Sequence, residues 1–346
     1  MSSIDQLLQQ GVDKKLFPGC ALSIIGPDEA TFFSAGRQTY DHNAPTISEH
    51  TFYDVASITK SIPTSSLVLH LIEVGKINVD DQLDQYLPMV KAKPLGSLKI
   101  RQLLSFAPQF PFTLSELKNS SATEILNTVI NSNWSMPAAK DFPVSNATAI
   151  LLTLLLIIVG GQSIDNQAAE IFFQPLEMNR TTFHLESIPF TSIAPTEVQE
   201  WRGGLIQGQT HDESAWKLRS IMVVGSAGLF SCTADLAKFG QMLLNHGSYK
   251  NHQYFKPETI EQMHTNQLAD DGLVGGLGWE IQKSWMGTKV SSSAFGKTGF
   301  TGCFMLIDPV QEKGLVFLSN CVYPHRPVDR THFNNFRIQL CDLIMT

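Results

Sequence analysis

The chain has 346 residues, 43% of them hydrophobic, and a net charge of −7. That is enough apolar material for a large core in one or two domains. The acidic balance, with no basic run or aromatic-basic interleaving, speaks against nucleic acid or an anionic membrane as partner.

In chain order, Met1-Ser2-Ser3-Ile4-Asp5-Gln6-Leu7 has no basic start, apolar centre or small-residue cleavage site, so it does not read as a signal peptide. The expectation is a cytoplasmic protein, or a periplasmic one whose export signal has been removed. Residues 4–15 predict an amphipathic helix, with Ile4, Leu7, Leu8 and Val12 at helical spacing. Residues 20–25 and 30–35 predict two strands joined by the Gly26-Pro27-Asp28 turn. Residues 57–73 predict one continuous helix with an apolar stripe at Ile62, Leu67, Leu69, Leu71 and Ile72. From there to about residue 270 the pattern is helical or irregular. The apolar run 149–159 is 11 residues long, well short of the roughly 20 that a membrane helix needs, and Gly160-Gly161 stops it. It predicts a buried core helix, not a membrane span. Strands are predicted at 278–282, 290–296, 302–307 and 314–318, and a closing helix at 335–344 with Phe336, Leu340 and Ile344 on one face. Five cysteines, at 20, 232, 303, 321 and 341, are an odd number without metal-ligand spacing. They read as buried free thiols, with no metal or cofactor implied.

Chemistry concentrates at Phe52-Tyr53-Asp54-Val55-Ala56-Ser57-Ile58-Thr59-Lys60-Ser61. On a helix starting near Ala56, Ser57 and Lys60 stack on one face. A serine hydroxyl becomes a useful nucleophile when a neighbour takes its proton. A lysine in a dry pocket can do so, because desolvation lowers the amine's pKa. Free N–H groups and the positive dipole end of a helix would favour charge developing on a bound carbonyl. The same Ser-x-x-Lys spacing recurs at Ser115 to Lys118 and Ser214 to Lys217, both in polar surroundings that predict solvated faces.

Far downstream lies Phe295-Gly296-Lys297-Thr298-Gly299-Phe300-Thr301-Gly302. Ser-x-x-Lys followed by a distant Lys-Thr-Gly is the combination of serine β-lactamases and penicillin-binding proteins. Ordered matches run along nearly the whole chain: Pro18-Gly19-Cys20-Ala21, Ile72-Glu73-Val74-Gly75-Lys76-Ile77, Asp80-Asp81-Gln82-Leu83, Ile100-Arg101-Gln102-Leu103-Leu104-Ser105, His211-Asp212-Glu213-Ser214-Ala215, Ala227-Gly228-Leu229-Phe230-Ser231, Leu277-Gly278-Trp279 and Leu318-Ser319-Asn320. The chain resembles the class C β-lactamase-like superfamily, which includes penicillin-binding proteins, family VIII carboxylesterases and D-amino-acid peptidases.

The resemblance implies an α+β fold: an antiparallel sheet flanked by terminal helices, with an inserted all-helical domain. The expected division is 1–56 with 275–346 as a discontinuous α/β domain, and 57–274 as the helical domain carrying the nucleophile helix, with the site in the groove between them. It implies Ser57 as nucleophile and Lys60 as base. The N–H groups of Ser57 and Phe300 would be the oxyanion donors, and Thr298 and Gly299 would line the substrate edge. Gly299 lets substrate backbone approach closely. Lys297 brings a full positive charge suited to a substrate carboxylate, the alternative being an edge-strand lysine that blocks aggregation.

The family's Tyr-x-Asn element matches Phe142-Pro143-Val144-Ser145-Asn146-Ala147-Thr148-Ala149. Asn146 is present, but Val144 stands where the tyrosine is expected, and valine cannot carry a proton. Ser145 is out of register for that role. A literal Tyr-x-Asn at Tyr249 to Asn251 follows the wrong helix. The family's usual histidines are Phe106 and Ser226 here. His211, with Asp212, is either a wall of the groove or a structural histidine in a turn; the sequence leaves both open. The implied function is a serine hydrolase forming an acyl-Ser57 intermediate with a small ester, amide or β-lactam substrate. Three readings follow: an esterase or D-amino-acid amidase, a β-lactamase or cell-wall D-alanyl peptidase, and an acyl-binding homologue impaired by Val144.

Overall fold

The computed structural model describes residues 2–345. Helix α1 spans Ser3–Asp13. Ser2 caps it: its Oγ accepts the Asp5 N–H while the Asp5 carboxylate accepts the Ser2 N–H. The hairpin of β1 (Gly19–Ile25) and β2 (Ala30–Gly36) follows. A short strand β3 (Tyr53–Asp54) leads into the Ser57 turn and then helix α2 (Ser66–Glu73). Of the middle segment, three helices and one strand matter for the site: α3 (Asn146–Gly160), α4 (Glu213–Leu218), β4 (Phe230–Ser231) and α5 (Thr233–Leu244). The chain closes with β5 (Glu280–Ile281), β6 (Phe295–Thr298), β7 (Phe304–Asp308), β8 (Lys313–Ser319) and α6 (Thr331–Ile344).

Six strands form one antiparallel sheet in the order β2–β1–β8–β7–β6–β5. Side chains alternate between its two faces, as the pleat requires. Cys20 and Leu22 of β1, Phe304 and Leu306 of β7, and Leu315 and Phe317 of β8 share a core with Leu8 of α1 and Phe336 and Leu340 of α6. Ala21, Ile25, Met305, Ile307, Val316 and Leu318 point the other way, into the main core with Leu236, Phe239 and Leu243 of α5. Gly240 lets α5 lie close to the sheet: a Cβ there would come within 2.6 Å of Ile25 Cδ1. The fold is therefore α+β, an antiparallel sheet between terminal helices on one face and α5 on the other. The helical segment and the sheet share this main core, and α5, from the stretch expected to be all-helical, is part of the sheet's own packing.

Helix α3 is apolar all round, and residues from Ala147 to Leu156 are buried. Ser145 caps its start, with Oγ accepting the Ala147 N–H, and Gly161 ends it at φ 75°. Among the described residues no single helix is long and apolar enough to cross a membrane. All five cysteines are buried and free.

Two expectations need correction. The predicted helix 57–73 is not continuous: Ala56–Lys60 is a 3₁₀ turn, Ile62 is extended (φ −117°, ψ 109°), and α-helical geometry starts only at Ser66. Pro63 is the cause, since it lacks an N–H and its ring drives the preceding residue out of the helical region. The expected strand 290–296 pairs only from Phe295. Before it, the N–H and Oγ–H of Ser291 both donate to the Asp308 carboxylate at 2.6 Å, which folds the serine run into a turn.

Candidate active site

The Ser57 turn is built from both sides. β3 pairs with β4, and the Val55 N–H donates to the Leu229 carbonyl. Ala56 is then held at φ 48°, a left-handed conformation uncommon for a residue with a side chain. Thr59 Oγ1 donates to the Ala56 carbonyl at 2.6 Å and accepts the Leu229 N–H at 3.3 Å. In the 3₁₀ turn that results, residues three apart eclipse one another. Ser57 and Lys60 are thus aligned more directly than an α-helix would align them. Lys60 Nζ lies 2.8 Å from Ser57 Oγ, and its other contact is donation to the Ser226 carbonyl at 2.7 Å. With the helix broken at Ile62, the long-helix dipole expected at Ser57 is replaced by the local N–H groups of this turn. Neither the Ser57 N–H nor the Phe300 N–H has a backbone acceptor, so both remain available to an oxyanion.

Lys60 is 1% exposed. Burial, helped by the nearby Lys297 charge and opposed by Asp212 and Glu280, brings its pKa down to about 7. A substantial share of the amine is therefore neutral at physiological pH and able to accept the serine proton.

Ser57, Val144, Asn146, His211, Phe300 and Arg326 line a cavity of about 440 Å³. Asn146 is the first residue of α3, and its Nδ2 donates to Asp212 Oδ2 at 2.8 Å. Asp212 caps α4 with its other oxygen, accepting the Ala215 N–H at 2.8 Å. Val144 lies on the cavity wall with no polar atom on its side chain. Tyr249 sits in a separate hairpin, Ser248–Tyr249 with His252–Gln253, and does not line this cavity.

Lys297 lies elsewhere than expected. It is 1% exposed, its Nζ donates to Glu280 Oε1 at 2.5 Å, and the Phe106 ring sits 4.6 Å from it. It does not line the cavity. Burial raises Glu280, but the Lys297 charge and hydrogen bonds from Lys297 and Trp285 outweigh this and hold its carboxyl below the usual range. The Lys297 charge is matched inside the protein, which removes the basis for reading it as a free receptor of a substrate carboxylate. Gly299 also has a structural reason: a Cβ there would meet the Val55 carbonyl at 2.4 Å, where the end of β6 packs on the Ser57 turn. Thr298 ends β6, half-buried, and is not in the cavity wall.

His211 is 3% exposed and stacks on Phe300, with ring centroids 5.6 Å apart. Neither ring nitrogen has a hydrogen-bond partner among the described residues; Glu197 Oε2 lies 3.8 Å from Nε2. Burial, only partly offset by Glu197, lowers its pKa to about 4, so the ring is neutral. The Arg326 and Arg330 guanidiniums also lie over the Phe300 ring, at 5.3 and 5.0 Å.

Of the other Ser-x-x-Lys matches, Ser115 is exposed, as expected. Ser214 is buried, because its Oγ donates to Asp212 Oδ1 at 2.6 Å as part of the α4 cap. The two positions where the family has histidine are used differently here. The Ser226 backbone carbonyl receives Lys60, and the Phe106 ring packs against Lys297. Sequence reasoning missed Glu280 and Arg326. It also gave no role to Asp54, although a carboxylate inside the apolar run before the nucleophile was a visible signal.

The β-lactamase family model matches residues 4–338, and the chain belongs to that family. A protein of Escherichia coli (strain K12) named "Putative D-alanyl-D-alanine carboxypeptidase" is 28% identical over 367 residues, covering 95% of this chain and 83% of that protein. Among solved structures, EstCE1, a hydrolase with promiscuous acyltransferase activity, superposes with a TM-score of 0.76 at 16% identity, covering 99% of this chain and 97% of the other. A class C β-lactamase from Rhodobacter sphaeroides gives a TM-score of 0.73 at 15% identity, covering 99% of both chains. These structural likenesses show the shared fold. The family match makes the chain a serine hydrolase of the β-lactamase family.

Proposed function

We propose that the chain hydrolyses small esters or D-amino-acid amides through an acyl-Ser57 intermediate, with Lys60 as the proton carrier. The observation that carries this is the 2.8 Å approach of a buried Lys60 to Ser57 Oγ. As Oγ attacks the substrate carbonyl carbon, the neutral Lys60 amine takes the hydroxyl proton. The carbonyl oxygen becomes an oxyanion between the Ser57 and Phe300 N–H groups. The ammonium then gives its proton to the leaving ester oxygen or amide nitrogen as that bond breaks. Deacylation runs the same steps with water as nucleophile. Asn146, fixed by Asp212, offers its amide to the substrate from the facing wall. No carboxylate preference is proposed, because Lys297 is paired with Glu280.

A second reading rests on Val144. Without a phenol beside Ser57, protonation of a poor leaving group and activation of water fall to Lys60 alone, so amides and β-lactams acylate slowly and the acyl-enzyme persists. Intact mass after a fluorophosphonate and, separately, a penicillin distinguishes these cases, alongside turnover of p-nitrophenyl butyrate and nitrocefin. One fluorophosphonate adduct mapping to Ser57 is expected, absent in Ser57→Ala. An adduct that survives in Ser57→Ala and maps to Ser115 or Ser214 overturns the assignment. A stable penicilloyl adduct without nitrocefin turnover supports the second reading.

A further inference from the structure

Asp54 ends β3, is 1% exposed and does not line the cavity. It nevertheless bonds to three segments that border the site. Its Oδ1 accepts the Ala56 N–H at 2.8 Å, two residues along. Its Oδ2 accepts the His211 N–H at 2.7 Å, from 157 residues away. Its carbonyl accepts Thr301 Oγ1–H at 2.7 Å, from 247 residues away. Each of these donors is a neighbour in sequence of a functional group: Ala56 precedes Ser57, His211 precedes Asp212, which holds Asn146, and Thr301 follows Phe300.

We propose that Asp54 is a positioning residue that fixes Ser57, Asn146 and the Phe300 N–H in one frame. The inference rests on Ser57 being the nucleophile. The chemistry of the residue fits the task. A carboxylate offers two acceptor oxygens, and two backbone N–H groups from different segments converge on them. Asparagine offers one acceptor and turns an NH₂ toward the other N–H, so one of the two segments loses its tie. Charge-assisted bonds to backbone N–H are the stronger kind, which suits a residue that must keep Ala56 in its left-handed conformation. Burial raises the Asp54 carboxyl to about 6 despite the His211 and Ala56 N–H bonds, while the nearby Asp212 charge adds to the rise and Arg202 opposes it. The side chain is thus ionised at neutral pH.

The test is the second-order rate of fluorophosphonate labelling per folded molecule, with the folded fraction taken from near-ultraviolet circular dichroism and thermal melting. Asp54→Asn is expected to label about 10²-fold more slowly, the usual cost of a misplacement of about 1 Å. On p-nitrophenyl butyrate it should lower kcat with little change in KM. Thr301→Val removes the bond to the Asp54 carbonyl, together with a long 3.5 Å bond to Cys303 Sγ, and should slow labelling roughly threefold to tenfold. If Asp54 acts through Asp212 on Asn146, then Asp54→Asn combined with Asn146→Ala is no slower than the worse single variant. Wild-type rates in folded Asp54→Asn, or effects that multiply in the double variant, overturn the proposal. If Asp54→Asn does not fold, Thr301→Val decides, and an unchanged rate there overturns it. Wild-type protein that fails to label at Ser57 removes the nucleophile assignment and this inference together; normal wild-type labelling with an unaffected Asp54→Asn removes this inference alone.

Discussion

Lys60 in the Ser57 turn and Lys297 on β6 are equally buried, each 1% exposed, and close enough for the charge of one to lower the pKa of the other. They differ in company. Lys297 meets a carboxylate at 2.5 Å, that of Glu280, whose other oxygen accepts the Trp285 Nε1–H. Lys60 meets a hydroxyl and a carbonyl, neither able to neutralise a cation. The same side chain at the same depth therefore faces a carboxylate in one place and only uncharged oxygens in the other, where burial lowers its pKa to about 7. Burial sets the cost of charge, and the partner decides whether the charge stays.

The contrast breaks if the two lysines turn out interchangeable. Lys60→Met should lower the labelling rate at Ser57 by about 10²–10⁴-fold, the range for a positioned proton acceptor. Lys297→Met, which removes no contact to Ser57, should cost tenfold or less on the same measurement. Equal losses would mean that Lys297 also takes part in proton transfer.

Stability gives the next largest difference. Glu280→Gln strands a buried ammonium and should destabilise the fold by about 3–5 kcal/mol in urea titration. Replacing the pair together, as Lys297→Met with Glu280→Leu, should be close to neutral. Lys60→Met should behave oppositely to Glu280→Gln. The folded Lys60 pKa is about 7, below its unfolded value of 10.5. Between those values the unfolded chain binds more protons, so this group makes stability rise with pH and weakens the fold below about pH 7. That upward slope from pH 7 to 10 should be missing in Lys60→Met, and a slope identical to wild type would contradict the depressed pKa.

The pH profile sharpens the same point. Labelling of wild type should fall as pH drops through about 7, because protonated Lys60 cannot accept the serine proton. Lys297 lowers the Lys60 pKa more than Glu280 raises it. Removing both should move that acid limb to higher pH. A limb that stays fixed would mean that the Lys297 charge does not reach Lys60.

The smallest expected effect concerns Val144→Tyr. A phenol there should speed the slow phase that follows a burst with p-nitrophenyl esters, provided the cavity admits it. Overpacking would instead appear as about 1–3 kcal/mol of lost stability. Fast burst-free hydrolysis by the unaltered protein would show that Lys60 suffices.

Much of this was legible in the sequence. The 3-residue spacing of Ser57 and Lys60, the Asn146 position before a Leu-rich helix, and the short apolar runs of β1 and β8 are local patterns. The break at Pro63 was equally local but was overridden by the apolar stripe around it. What the sequence did not display were the partners: Glu280 for Lys297, Asp212 for Asn146, and the Val55 carbonyl against Gly299. These join residues that only the finished topology makes neighbours. The environment of a lysine is set by such partners and so cannot be read from its own surroundings in the chain. Ser214 shows the same limit in reverse: its polar neighbours predicted solvent, yet one of them, Asp212, draws it into a cap.

The sheet's connectivity also bears on how the protein is made. β1 belongs to the first tenth of the chain, yet its inner neighbour is β8, with Cys20 opposite Ser319. During synthesis the β1–β2 hairpin emerges well before β8 and waits, one edge of apolar strand unpaired, until β8 leaves the ribosome. Pairings this distant are slow to form and exposed to misassociation while they wait. A chain cut short before β8 therefore loses more than an end: it leaves an open strand edge at the middle of the sheet, the kind of surface on which proteins aggregate.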